Sequence, residues 1–338
     1  MSAATETPSL DSPERQETLF RLGEIFTPYA SKKASQLYPE RRGVAKFVHY
    51  TTAAAALKII EFKRFWMRNA TCMADYSEVT HGYEILRRFF ADQERYNDLV
   101  NALRLSMGDV APGLMNSIVN RMPQLLRYTH IASLSEHDPI TENDHGRLSM
   151  WRAFGPAADR VAIVLSIPWF SGATQALKLA FSPVAYFPEE EVANELSATI
   201  ANIRGNVEFL RQTDQQLVIA NVFNMFMTVV TCLKHAAFKE EKEWRAIFVP
   251  AWYLSQKLVK RSVECINGVA QHVCQIPLDA RVSPGVAGLD FSRIFDRLIV
   301  GPTQYPVAMA DAFIETLQAA GVEEPHLKVV VSGIPLRT

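Results

Sequence analysis

Phe47-Val48-His49-Tyr50-Thr51-Thr52-Ala53-Ala54-Ala55-Ala56-Leu57-Lys58-Ile59-Ile60-Glu61-Phe62-Lys63-Arg64-Phe65-Trp66-Met67 is the stretch on which the fold turns. Aromatic and β-branched residues from Phe47 to Tyr50 favour an extended strand. Thr51-Thr52 supplies hydroxyls that cap free backbone N–H groups, and the alanines after them predict a short helix to about Ile60. A second, aromatic strand follows around Phe65-Trp66-Met67. The core therefore opens as a β-α-β unit.

Working outward, Leu19, Phe20, Leu22, Ile25, Phe26, Tyr29 and Leu37 recur at helical spacing behind a Ser12-Pro13-Glu14 start signal. They predict a helical extension over 14–42, preceded by a small, polar lead-in over 1–13 that reads as disordered. Downstream, amphipathic patterns at 83–106 and 112–127 predict a helical insertion over 83–127. The β signal returns at 129–135 and 160–165, with a further candidate at 181–187. Two long helices, 190–212 and 215–236, form a second insertion. The remainder alternates strands at 244–249, 273–276, 295–300 and 328–331 with one helix at 307–320. The pattern predicts an α+β fold: one domain over 43–338 with a mixed β-sheet core and large helical insertions, without internal repeats.

The chain has 338 residues, 48% hydrophobic and 21% charged, with 35 basic against 36 acidic side chains. That near-balance gives no global field for nucleic acid or an acidic membrane. Cys72, Cys232, Cys265 and Cys274 show no C-x-x-C spacing, which suits reduced thiols and a cytoplasmic location. The longest apolar-rich run, 217–233, is interrupted by Asn221, Asn224 and Thr231 and reads as a buried helix, not a membrane span. The first residues lack the cationic start and apolar core of a signal peptide. No G-x-G-x-x-G, P-loop, H-E-x-x-H or G-x-S-x-G signature occurs. His137 and His145, with Glu136, Asp138 and Asp144, make a polar loop that reads as solvated, and no metal is expected.

Three stretches combine side chains that packing alone does not require. In the first, His49 sits near a strand end, where a sheet holds side chains still while loops open a cleft; the bland reading is a core histidine bonded to backbone. The second runs from Trp66 through Arg68, Asn69 and Cys72 to Asp75 and Glu78, whose carboxylates, three apart, also suit a helix N-terminus. The third is Lys234-His235-Ala236-Ala237-Phe238-Lys239-Glu240-Glu241-Lys242-Glu243-Trp244-Arg245. Strand alternation there sends Glu243, Arg245 and Ile247 to one face and Trp244, Ala246 and Phe248 to the other, although a solvated edge would look the same. Between these stand Ser133-Leu134-Ser135 and Met150-Trp151, where Trp151 either stacks a planar group or fills the core.

Taken in order, His49-Tyr50-Thr51, Asp75 to Glu78, Ser133 to Ser135, Met150-Trp151, Lys234 to Arg245, Val300-Gly301-Pro302 and Ser332-Gly333-Ile334-Pro335 resemble a bacterial family known as the domain of unknown function 2971. The likeness covers roughly 47–337 and rests on the ordered set. The family places asparagine before the aspartate, where this chain has Ala74. A weaker, topological resemblance is to the His-Tyr-Glu class of ADP-ribosyltransferases, through the strand histidine, the aromatic strand and the late strand-initial glutamate. This second resemblance implies an ADP-ribosyltransferase-like sheet and NAD as substrate, cleaved by a transferase or glycohydrolase with an unknown acceptor. Glu243 would stabilise the oxocarbenium-like ribose and His49 would hold its hydroxyls. Tyr50 or Trp66 would stack nicotinamide, while Arg245, Arg68 or Lys234 would take the pyrophosphate. Thr51, Asn69 and Trp151 complete the expected binding set, and Asp75 and Glu78 the turn beside it. The alternative is a catalytically silent nucleotide- or protein-binding module. Expected partners are a nucleotide-like small molecule and an unidentified acceptor macromolecule, with the apolar helical insertions a candidate homo-oligomer interface.

Overall fold

The computed structural model describes residues 12–39, 43–73, 76–153, 159–168, 172–253, 256–266 and 268–335. The chain divides into two compact units.

The first unit holds the described residues of Met1–Leu37, Met73–Thr129 and Ala185–Ala236. It is helical, gathering the N-terminal helices Pro13–Phe26 and Pro28–Leu37 with the two stretches expected as insertions. The pattern that starts at 83 belongs to two helices, Tyr76–Ala91 and Gln93–Met107, because the Asp92 carboxylate accepts from the N–H groups of Glu94 and Arg95 and starts a new helix. The expected 190–212 helix likewise parts into Glu189–Gly205 and Val207–Gln212 around Asn206. Gly82 explains one close approach. A Cβ there would stand 2.6 Å from the Val229 carbonyl oxygen, so only glycine lets the helix Tyr76–Ala91 lie this close to Gln215–Thr231.

The second unit, with the described residues of Tyr38–Cys72, His130–Val184 and Ala237–Thr338, carries a ten-stranded mixed sheet. Its strands are β1 (Val44–Thr52), β2 (Arg64–Asn69), β3 (His130–Glu136), β4 (Arg160–Pro168), β5 (Ala180–Pro183), β6 (Glu243–Phe248), β7 (Lys260–Ile266), β8 (Val269–Pro277), β9 (Phe295–Val300) and β10 (Val329–Val331). The opening unit forms as the sequence predicts. The Thr52 hydroxyl accepts from Ala55 N–H to start the helix Ala53–Phe62, and Lys63 ends it in a left-handed conformation at φ 47°. The candidate strand at 181–187 is shorter, since β5 ends at Pro183. β7 adds a strand that the sequence pattern does not predict: it pairs along its length with β8 in an antiparallel hairpin, Glu264 opposite Gln271.

β3 organises the sheet. One edge pairs with β6 from His130↔Phe248 to Ser135↔Glu243. Its other edge is shared: β1 joins at Phe47↔Glu136 and Val48↔Ser135, and β2 at Arg68↔Ile131 and Asn69↔His130. β1 and β2 therefore part from one another along residues 132–134, making a fork. Because facing residues on adjacent strands share a face, the register sorts the side chains. One face carries Phe47, Phe181 and Trp244, whose rings meet edge-on or tilted at 5.1–5.4 Å. Trp66, Arg68, Ser133, Ser135, Ser182, Glu243 and Arg245 belong to the other.

On that second face, toward β4 and β9, Val48, Tyr50, Met150, Trp151, Ala162, Val164 and Ile299 form a closed cluster. Trp151 stands between two glycines. A Cβ at Gly146 would lie 2.8 Å from its Cζ2, and one at Gly301 2.8 Å from its Cζ3. Among the described residues, no helix is long and apolar enough to cross a membrane.

Candidate functional site

His49 lies at the fork. Its ring packs edge-on against Phe65 at 4.6 Å, and Nδ1 is 3.0 Å from the Ser133 carbonyl oxygen, a group that neither β1 nor β2 pairs. A carbonyl only accepts, so Nδ1 carries the proton and donates. Burial pushes the His49 pKa down to about 4 against a smaller opposing pull from that hydrogen bond, so the ring is neutral at pH 7. Nε2 is consequently a lone-pair acceptor, suited to a hydroxyl.

Glu243 and Arg245 are neighbours on one face of β6, as alternation predicts, but they form no solvated edge: every residue of β6 is buried. Arg245 Nε donates to Glu243 Oε1 at 2.8 Å and its Nη2 to Oε2 at 3.2 Å, a fork-to-fork pair with side chains 1% and 5% exposed. Ser133 and Ser182 flank Arg245 on β3 and β5, and Ser135 faces Glu243. The Ser133 hydroxyl is buried without a hydrogen bond. Two strands away on the same face, Arg68 donates from Nε to Gln271 Oε1 at 3.2 Å and from Nη2 to the Cys72 carbonyl at 2.6 Å. Trp66 shares that face, with the Lys58 ammonium 5.2 Å from its ring centroid. By strand spacing and rise, the Cα atoms of Glu243 and Arg68 are about 16 Å apart.

The structure thus collects Glu243, Arg245, Arg68 and Trp66 on one sheet face. It places His49 differently: alternation starts its side chain on the opposite face, and it reaches β3 through the fork. Asn69 also belongs to that opposite face; its Oδ1 accepts from the N–H and hydroxyl of Thr71 at 2.9 and 2.6 Å, fixing the turn after β2. Tyr50 and Trp151 are packed as core. Tyr50 is 4% exposed, its hydroxyl accepts from Arg147 N–H at 2.7 Å, and burial pushes its pKa up to about 12. Trp151 is 1% exposed, meets Tyr50 edge-on and donates from Nε1 to the His145 carbonyl at 2.7 Å, so neither ring offers a face for nicotinamide. Thr51 pairs with Val161 within the β1–β4 ladder. In the helical unit, Lys234 and Glu78 form an ion pair at 3.4 Å with side chains 4% and 14% exposed. Asp75 and Ala74 lie outside the described residues.

Arg147 was missed. This buried residue follows the polar histidine loop and spends its guanidinium on that loop's neighbours: Nε to Glu142 Oε1 at 2.8 Å, Nη1 to the Glu240 and Glu241 carbonyls at 2.9 Å each, and Nη2 to the Glu136 carbonyl at 2.8 Å. It clamps the end of β3 to the turn that leads into Glu243. The loop expected to be solvated is partly buried, with His137 Nε2 2.9 Å from Asn143 Oδ1 and His145 Nδ1 2.6 Å from the Ser332 carbonyl. Among the described residues no three His, Cys, Asp or Glu side chains gather in a metal-holding group.

Residues 150–246 match the model of a family described as Protein of unknown function (DUF2971). That segment holds Met150-Trp151 and the run from Lys234 to Arg245, two of the motifs that carry the resemblance read from the sequence. No curated protein and no solved structure matches the chain, so the likeness to ADP-ribosyltransferases stands on the sequence pattern alone.

Proposed function

We propose that the chain binds NAD and breaks its nicotinamide–ribose bond, passing ADP-ribose to an acceptor or to water. The observation that carries this reading is the grouping of Glu243, Arg245, Arg68 and Trp66 on one face of β6, β3 and β2, over a span that suits a dinucleotide. Cleavage builds positive charge on the ribose, and a carboxylate held out of water stabilises that charge most strongly. Arg245 occupies both oxygens of Glu243. Pyrophosphate draws Arg245 away, because a guanidinium binds a phosphate as well as a carboxylate in the same two-pronged geometry. Glu243 is then released toward the ribose, while His49, on the opposite face, holds the fork through its hydrogen bond to the Ser133 carbonyl.

Titration calorimetry of NAD into wild type and Glu243→Gln, followed by a nicotinamide-release assay, tests this. Both proteins should bind NAD, and only wild type should release nicotinamide. Release by Glu243→Gln at the wild-type rate refutes the catalytic assignment, and no binding at millimolar NAD refutes the reading as a whole. A second reading, a nucleotide-binding module without catalysis, is favoured by the Glu243–Arg245 fork itself, since a carboxylate held by both oxygens is poorly placed to act. It predicts NAD binding by wild type with no nicotinamide release.

A further inference from the structure

Arg68 and Gln271 raise a question that the sheet alone does not answer. Gln271, on β8, is 5% exposed, and its Nε2 is buried without a hydrogen-bond partner. The amide cannot turn to satisfy it, because Arg68 Nε has only donors and needs Oε1 as acceptor. Arg68 in turn binds one amide oxygen and one backbone carbonyl, and no carboxylate pairs with it among the described residues. A guanidinium without an anion stands beside an amide donor without an acceptor. Buried donors are normally satisfied, and a half-buried guanidinium such as Arg68 binds an anion more strongly than a neutral acceptor, so a single negatively charged oxygen group serves both. Glu264 faces Gln271 across the β7–β8 ladder but accepts from the Ser262 hydroxyl at 2.9 Å instead.

We infer that Arg68 and Gln271 form an oxyanion subsite that takes one phosphate of a nucleotide's pyrophosphate, leaving the other to Arg245, with Gln271 Nε2 and the free Nη1 of Arg68 as its donors. The site deepens the NAD reading and rests on it only for the identity of the ligand. Gln271 is a new binding residue, and its role gives substitutions a characteristic sign. Gln271→Glu puts a carboxylate of the same shape against Arg68, filling the site from within. Glu264→Gln removes a neighbouring negative charge that opposes the ligand.

The probes are inorganic pyrophosphate and NAD, titrated separately into wild type, Gln271→Glu, Gln271→Met and Glu264→Gln, with thermal melting to check folding. Wild type should bind pyrophosphate; Gln271→Glu and Gln271→Met should weaken it by about tenfold or more, and Glu264→Gln should tighten it by about threefold. Gln271→Glu should melt no lower than wild type, because it completes an ion pair. Should it fail to fold, Gln271→Met, which keeps the side-chain volume, carries the comparison. Failure of wild type to bind millimolar pyrophosphate, or unchanged affinity in the Gln271 variants, overturns the subsite. Pyrophosphate binding that depends on Gln271, with no NAD binding, supports the subsite and overturns the NAD reading. NAD binding that is indifferent to Gln271 does the reverse.

Discussion

Replacing Arg147 by methionine keeps most of the side-chain volume and deletes one guanidinium. Four donated hydrogen bonds go with it, three to backbone carbonyls and one to Glu142, all from an 8% exposed residue. The larger cost is what remains. Glu142 is itself 8% exposed and would keep a buried charge whose close cationic partner has gone, and breaking a buried pair from one side costs about 3–5 kcal/mol. The orphaned carbonyls of Glu136, Glu240 and Glu241 add to this, so the total is about 5 kcal/mol, a large part of a domain's stability. With a urea slope of about 3 kcal/mol/M, the midpoint should fall by about 1.7 M. Glu142→Gln combined with Arg147→Met removes the stranded charge and should recover about 2 kcal/mol, a coupling that a double-mutant cycle isolates. A loss under about 1 kcal/mol in Arg147→Met, or no recovery in the double variant, would refute the assignment of Arg147 as the clamp before Glu243.

Gly301→Ala should destabilise by about 3 kcal/mol in urea titration, since the added methyl would lie 2.8 Å from Trp151 Cζ3 and 2.9 Å from the Arg160 carbonyl; unchanged stability would show that this packing gives way easily. His49 gives a pH signature. Its pKa is about 4 when folded and near 6.5 in the unfolded chain, so between these values the unfolded state binds more protons and stability rises with pH. Acidification from pH 6.5 to 4 should thus cost about 2 kcal/mol, after a discount for the partial exposure of the residue. His49→Gln should remove that component from the pH dependence of the urea midpoint, and an identical pH profile in the variant would contradict a neutral, Nδ1-protonated ring.

What the sequence reveals depends on how local the determining interaction is. β1, the helix after it and β2 are legible because Phe47-Val48-His49-Tyr50, the Thr52 cap and the alanine run each specify their own neighbourhood. The pairing of Glu243 with Arg245 is legible for the same reason, because residues two apart on a strand share a face wherever the strand lies. That β6 is buried on both faces is not legible, since burial is decided by strands drawn from distant parts of the chain. β7 escapes because Lys260-Arg261-Ser262-Val263-Glu264-Cys265-Ile266 mixes charge and apolar groups on a mostly exposed strand, leaving a faint alternation. The Asn267-Gly268 pair before β8 was the usable hairpin signal. Arg147 escapes for another reason: three of its four acceptors are main-chain carbonyls, which leave no mark in the residue types around it.

Three arginines surround the strand that organises the sheet, and their partners separate them by role. Arg147 is matched by Glu142 and Arg245 by Glu243, so each brings its own counter-charge from the chain. Such pairs hold geometry, and nothing further is required to make their burial tolerable. Among the described residues Arg68 has neutral acceptors only, and the amide beside it has a donor to spare. A fold that needed Arg68 merely as a brace between β2 and the turn at Cys72 could use the same two contacts while leaving Gln271 satisfied. The unmatched cation together with the unmatched donor is the arrangement expected of a site whose remaining partner arrives from solution. Under the proposed NAD reading, the charge on β2, rather than the pair on β6, would be where the ligand first gains affinity, and the release of Glu243 from Arg245 would be a later step that binding at Arg68 makes possible.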